Sequence, residues 1–157
     1  MTHHIARAVV LGQSVKQSWL VFNASIELWN NYLPIYKKMD YYLHVHPAGV
    51  KAMAECFEAM NNSFLSGNFS SLKGSEVDYE LDKKMQVFSN MSMLLARIYE
   101  HRNEGSEAVR VCDVLLAKQL PSHLRKTFDS IRARVTKTVS KAGDAPGKAA
   151  PAKLAKG

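Results

Sequence analysis

The sequence predicts an all-α protein of antiparallel helix pairs. Three observations carry this. Apolar residues recur at alternating steps of three and four along most of the chain, the spacing that aligns side chains on one helix face. No segment alternates apolar and polar residues as a half-buried strand does. Short Gly-, Asn- and Pro-containing turns separate the later stripes, and short connections favour antiparallel neighbours. With 157 residues the chain has the length of one domain. The expected division is a helical domain over 1–140 and a Lys/Ala/Pro-rich tail over 141–157.

Five helices are expected. The first runs from His3 to Tyr36, with a weak point at Gly12-Gln13-Ser14. Gly12, Val15, Trp19, Phe22, Ile26, Trp29, Leu33 and Tyr36 form its stripe, with Asn23 and Asn30 at the flanks. Pro34 should kink or end it, because proline lacks a backbone donor and clashes with the preceding turn. A second helix opens near Pro47, a favoured first-turn residue, and carries Val50, Met53, Phe57, Met60 and Phe64. Residues 61–75 read as a polar connection ending in Ser75-Glu76-Val77-Asp78, a capping-box pattern. The third helix then carries Val77, Leu81, Met85, Phe88, Met91, Leu95 and Ile98 and stops at Asn103-Glu104-Gly105. The fourth carries Ala108, Cys112, Leu115 and Leu116. The fifth, opened by Pro121, carries Leu124, Phe128, Ile131, Val135 and Val139.

Residues 92–121 fit part of a tetratricopeptide repeat. Leu95-Ala96, Tyr99 and Ala108 fall in register. Ser92 and Cys112 replace the usual Trp and Phe, and Pro121 comes one residue late. The pattern works because small residues let two helices approach while large ones fill the space between them. Trp19, Phe22, Asn23 and Ile26 repeat the first-helix spacing, which places Asn23 at a small position and packs Trp19, Phe22 and Ile26 on the helix near Pro47. The fold class is therefore a tetratricopeptide-like α-solenoid, and a plain helical bundle is the competing reading.

No apolar run approaches the roughly 18 residues that span a bilayer, and the N-terminus has neither the charged nor the apolar region of a secretory signal. Two cysteines, Cys56 and Cys112, imply no disulfide framework. Asn-x-Ser occurs at Asn23, Asn61, Asn68 and Asn90. These are chance matches without secretion, and Asn23 and Asn90 fall inside expected helices. His3-His4 and His44-Val45-His46 lack the i, i+4 spacing and cysteine partners of a zinc site. Cys112 sits at a repeat packing position and reads as a small buried hydrophobe rather than a nucleophile. Asp78, Glu80 and Asp82 suit the positive end of a helix better than acid/base work. No catalytic residue, metal or cofactor is expected.

The net charge of +7 is lopsided. Residues 1–120 balance twelve basic against twelve acidic side chains, whereas 121–157 hold nine basic and two acidic. The candidate partner contacts are those nine: Arg125, Lys126, Arg132, Arg134, Lys137, Lys141, Lys148, Lys153 and Lys156. A low-complexity tail buries too little apolar surface to offset chain entropy, so its contribution is electrostatic. An acidic protein surface would attract it. Nucleic acid is the alternative, restricted to phosphate contacts because no aromatic residue follows Phe128 for base stacking.

The order of these features resembles a ciliary family, cilia- and flagella-associated protein 46, in its N-terminal region. The resemblance rests on Trp19-Leu20-Val21-Phe22-Asn23-Ala24-Ser25 followed by Trp29 and Pro34. It continues through Leu94-Leu95-Ala96-Arg97-Ile98-Tyr99 and Gly105-Ser106-Glu107-Ala108, and closes with Leu120-Pro121 and Lys126-Thr127-Phe128. It covers about residues 5–135. The chain departs from the family in being far shorter and in ending in its Lys/Ala/Pro tail. The resemblance implies a non-enzymatic scaffold of the motile-cilium axoneme, in the C1d projection of the central apparatus, supporting ciliary motility. It also implies a cytoplasmic, cytoskeletal location, with other large helical-repeat axonemal proteins as partners and tubulin as an acidic surface for the basic tail. It supplies no active-site residues.

Overall fold

The computed structural model describes residues 2–36, 38, 45–65 and 75–143, and among these there are six helices and no strand. They are α1 Thr2–Ser14, α2 Ser18–Tyr36, α3 Pro47–Leu65, α4 Ser75–His101, α5 Gly105–Leu116 and α6 Ser122–Gly143. The chain is all-α, as its periodicity requires. Pro34 lies in the last turn of α2, and α6 continues three residues past the expected boundary at 140.

The first expected helix is in fact two. The break falls at Val15-Lys16-Gln17 and has a definite hydrogen-bond pattern. The Gln17 amide donates to the Gly12 carbonyl (2.8 Å) and the Lys16 amide to that of Gln13 (3.0 Å). Lys16 adopts φ 54°. These are the two crossed bonds of a Schellman ending, with the residue past the helix in the left-handed region. The α4–α5 turn repeats it. There the Glu104 amide donates to the Tyr99 carbonyl (2.9 Å), the Asn103 amide to that of Glu100 (3.2 Å), and Asn103 adopts φ 60°.

The break resets the helical phase, which corrects the tryptophan stripe. Among the described side chains, Val21, Phe22, Ala24, Ser25, Leu28 and Trp29 are the buried residues of α2, and Tyr36 of the expected stripe lies outside them. Trp19 is 59% exposed, its indole N–H donating to Gln17 Oε1 at 3.0 Å. Asn23 is exposed as well, so it does not occupy a tight crossing. The small residues that do lie inside are Ala24 and Ser25. Thus α2 is the second helix of a hairpin with α1, not the first helix of a pair with α3. Aligning the two turns pairs Val9 with Ala96, Val21 with Ala108, Ala24 with Val111, Ser25 with Cys112 and Leu28 with Leu115. Every one of these ten residues is buried.

Burial in α3 to α6 follows the periodicity. Val50, Met53, Phe57 and Met60 are buried on α3; Phe88, Met91, Leu95 and Ile98 on α4; Ala108, Cys112 and Leu115 on α5; Phe128, Ile131 and Val135 on α6. Val139 departs from the expected stripe and is exposed. Val77, Leu81 and the Ser75 capping box lie outside the residues whose side chains are described. The start of α3 is held by His46, whose Nδ1 accepts a 3.2 Å hydrogen bond from the Ala48 amide.

The helix pairs that pack extensively are first or second neighbours along the chain. α1 packs on α2 and α3, α2 on α3 and α4, α3 on α4, and α4 on α5 and α6, which pack on each other. The joint between the two halves is aromatic. Phe57 of α3 stacks on Phe88 of α4 (centroids 5.5 Å apart), Phe64 lies 5.2 Å from Phe88, and Phe22 of α2 meets Phe64 edge-on at 5.2 Å. Cations close over it: Lys118 above Phe64 and Phe88, Arg110 above Phe57, each at 5.7 Å, and Lys84 above Phe22 at 5.5 Å. Such contacts contribute about 0.5–1 kcal/mol each at exposed positions.

Candidate interaction surface

Of the nine basic residues singled out by charge, the five whose side chains are described, all on α6, divide by their surroundings. α6 buries Phe128, Ile131 and Val135 against the array, and the basic residues beside that stripe are turned to internal partners. Arg132 Nε donates to Asp113 Oδ1 of α5 at 2.8 Å. Arg134 donates from Nε and Nη2 to both carboxylate oxygens of Glu100 on α4, each at 3.0 Å. Arg125 Nη2 donates to the Lys118 carbonyl at 3.2 Å. Glu100 holds the Arg134 guanidinium above its ordinary pKa, more than offsetting the opposing effect of partial burial.

Lys126 and Lys137 are different. They sit on α6 away from the buried stripe and are exposed. The side chain of Lys141, and Lys148, Lys153 and Lys156 entirely, lie outside the described residues. The α6 part of the predicted set thus divides into three arginines that tie α6 to the array and two lysines that face solvent.

Sequence reasoning missed an apolar surface at the other end of the array. Val10 (52%), Leu11 (56%) and Val15 (50%) are exposed along with Trp19. An open groove of about 780 Å³ runs between α1 and α3. Arg7, Val10, Leu11 and Ser14 line it from α1; Ala48, Lys51, Ala52 and Glu55 line it from α3. Each set has the i, i+3, i+4, i+7 spacing of one helix face. A signal was present in the run Ala8-Val9-Val10-Leu11. Four consecutive apolar residues sweep nearly a full helical turn, so they cannot all face one core.

The cysteines are fully buried. Burial pushes the Cys56 thiol up to about 11, against a smaller opposing effect of the neighbouring Ser25 hydroxyl. Burial, with the nearby Asp113 carboxylate, pushes Cys112 up to about 12. Both stay protonated at neutral pH and are poor nucleophiles, since the thiolate is the reactive form. Among the described residues, no group of three His, Cys, Asp or Glu side chains is placed to hold a metal ion, and no helix is long and apolar enough to cross a membrane.

Neither a protein-family model, nor a curated protein, nor a solved structure matches the chain.

Proposed function

We propose that this chain is a structural scaffold, a tetratricopeptide-like piece of α-solenoid that works by presenting helix faces to other proteins. The observation that carries this reading is the internal repetition. Two helix hairpins, α1–α2 and α4–α5, share the same three-residue turn, and five pairs of their equivalent positions are buried in both. Packing runs from each helix to its first and second neighbours, the quasi-one-dimensional arrangement of repeat arrays. Ser92, Leu95, Ala96, Tyr99, Ala108 and Cys112, the residues of the repeat register, are all buried in the second hairpin. Repeat arrays build extended surfaces, and their chemistry is positional.

The cellular setting is what the family resemblance of the ordered motifs between Trp19 and Phe128 implies. We read it as the motile-cilium axoneme, in a central-apparatus projection, with large helical-repeat proteins as partners and support of ciliary beating as the role. The exposed Lys126 and Lys137 and the tail lysines add electrostatic docking to an acidic surface such as tubulin. Nucleic-acid binding is weakened as a rival because Asp113 and Glu100 offset the charges of Arg132 and Arg134, and Arg125 directs part of its guanidinium to the Lys118 carbonyl.

The test is to express the tagged chain in ciliated cells and fractionate isolated cilia. The expected result is retention in the detergent-insoluble axoneme, release only by high salt, and altered beating when the chain is lost. Full recovery in the detergent-soluble fraction, with normal beating in its absence, would overturn the reading.

A further inference from the structure

The equivalence of the two hairpins makes the exposed face of α1 informative. Aligned through their turns, Arg7 and Leu11 of α1 correspond to Leu94 and Ile98 of α4. On α4 these positions are buried, and α4 packs against the helices before it, α2 and α3, as well as those after it. Arg7 and Leu11 are exposed, and among the described residues α1 packs extensively on α2 and α3 alone, the helices that follow it. The face that is covered inside the array is thus open on α1. The groove beside it has two helix-face stripes for walls. Alanines 6, 8, 48 and 52 leave the groove open to a close helix approach, and Val10 and Leu11 supply apolar area.

We propose that the α1/α3 groove receives an amphipathic helix of a partner protein whose apolar stripe is flanked by acidic residues. This rests on the scaffold reading. The occupant's charge follows from the rim. Arg7 and Lys51 stand on the groove, and Glu55 is the single acid on it among the described residues. A second copy of this chain suits the groove poorly. Pairing two such grooves would bring basic rims together, and stacking head to tail would bring the exposed Lys126 and Lys137 of α6 toward the same basic rim. Helix-in-groove recognition of this kind reads an i, i+3, i+4, i+7 anchor set, and rim charge sets its selectivity.

The experiment uses the full chain and two labelled helical peptides that share one Leu/Ala stripe, one flanked by glutamates and the other by lysines. Fluorescence anisotropy at low salt should show the glutamate peptide binding about tenfold or more tightly than its twin. Leu11→Asp should remove that binding, and the double variant R7E/K51E should reverse the preference. Leu11 is exposed, so its variant should keep the wild-type helical circular dichroism, and Val10→Asp provides a second variant on the same wall. Equal affinity for both peptides, no binding of either, or binding untouched by Leu11→Asp would overturn the proposal. So would concentration-dependent self-association abolished by Leu11→Asp, which would assign the groove to a second copy. Axonemal retention without peptide binding would remove the groove proposal alone. Selective peptide binding without axonemal retention would remove the ciliary setting alone.

Discussion

Arg134 of α6 and Glu100 of α4 face each other through two parallel hydrogen bonds, both 3.0 Å long. The pair reaches across 34 positions of sequence and fastens the last described helix to the longest one. It is solvent-accessible, with the Arg134 side chain 55% exposed, so its contribution is set by screened electrostatics. Arg134→Met should lower stability by about 0.5–1 kcal/mol, and less in high salt. Chemical denaturation of the single variants and of the charge-reversed pair R134E/E100R measures the coupling, with partial recovery expected in the double variant.

The glycine at the start of α5 is there for space. A Cβ on Gly105 would press into Val139 Cγ2 and lie 3.2 Å from Val135 Cγ1. Gly105→Ala alone should therefore destabilise by about 1 kcal/mol, the overpacking cost exceeding the gain in helix propensity. With Val139→Ala in the background only the 3.2 Å approach to Val135 Cγ1 remains, and the same substitution should cost clearly less. Thermal melts of the four variants of this cycle would show the reduced cost.

Lys16 holds a left-handed conformation that costs an L-residue about 1–2 kcal/mol, against a smaller entropy loss for glycine. Lys16→Gly should raise stability by ~0.5 kcal/mol in denaturant titration and leave the spectrum unchanged. Asn103, at the equivalent position, tolerates that region better, so Asn103→Gly should gain less.

Phe88 joins Phe57 and Phe64 at the junction of the two halves. Phe88→Ala should cost about 3–5 kcal/mol, and because the joint is shared, both hairpins should lose structure together. A melting temperature close to that of the unsubstituted chain would show that the halves are held by something else.

The thiols give an alkaline signature. Their folded pKa values are raised to about 11 and about 12 from an ordinary 9.0. The unfolded thiols therefore release protons first as pH rises. Their stabilising contribution is complete below about pH 9 and is lost progressively toward pH 11–12. Cys56→Ala and Cys112→Ala should each flatten that loss. At neutral pH a thiol reagent should label neither cysteine until the chain is unfolded.

Much of the fold was legible because α3 to α6 carry unbroken stripes. Met53-Phe57-Met60 and Phe128-Ile131-Val135 could be read directly from spacing. α1 and α2 were harder. A single three-and-four series from Gly12 to Tyr36 assumes one continuous helix, and lysine is not a residue that announces a left-handed turn. Once the chain turns at Lys16 the phase shifts, and Trp19 swings outward while Ser25 turns in. The basic residues show a second limit. Charge counting finds Arg132 and Arg134, but Asp113 and Glu100 answer them only after folding, so local sequence cannot separate them from Lys126 and Lys137. The α1 groove needed the tertiary arrangement too, since its walls come from helices separated by all of α2.

Neighbour-by-neighbour packing also bears on how the molecule reaches its structure. Each helix finds its main partners within one or two elements along the chain, so closing a contact requires bridging only a short intervening stretch. Loop-closure entropy at each step is small, and low contact order speeds the search. A newly made chain can settle the α1–α2 hairpin while α4 is still being synthesised, and folding then proceeds as successive docking onto a template already in place.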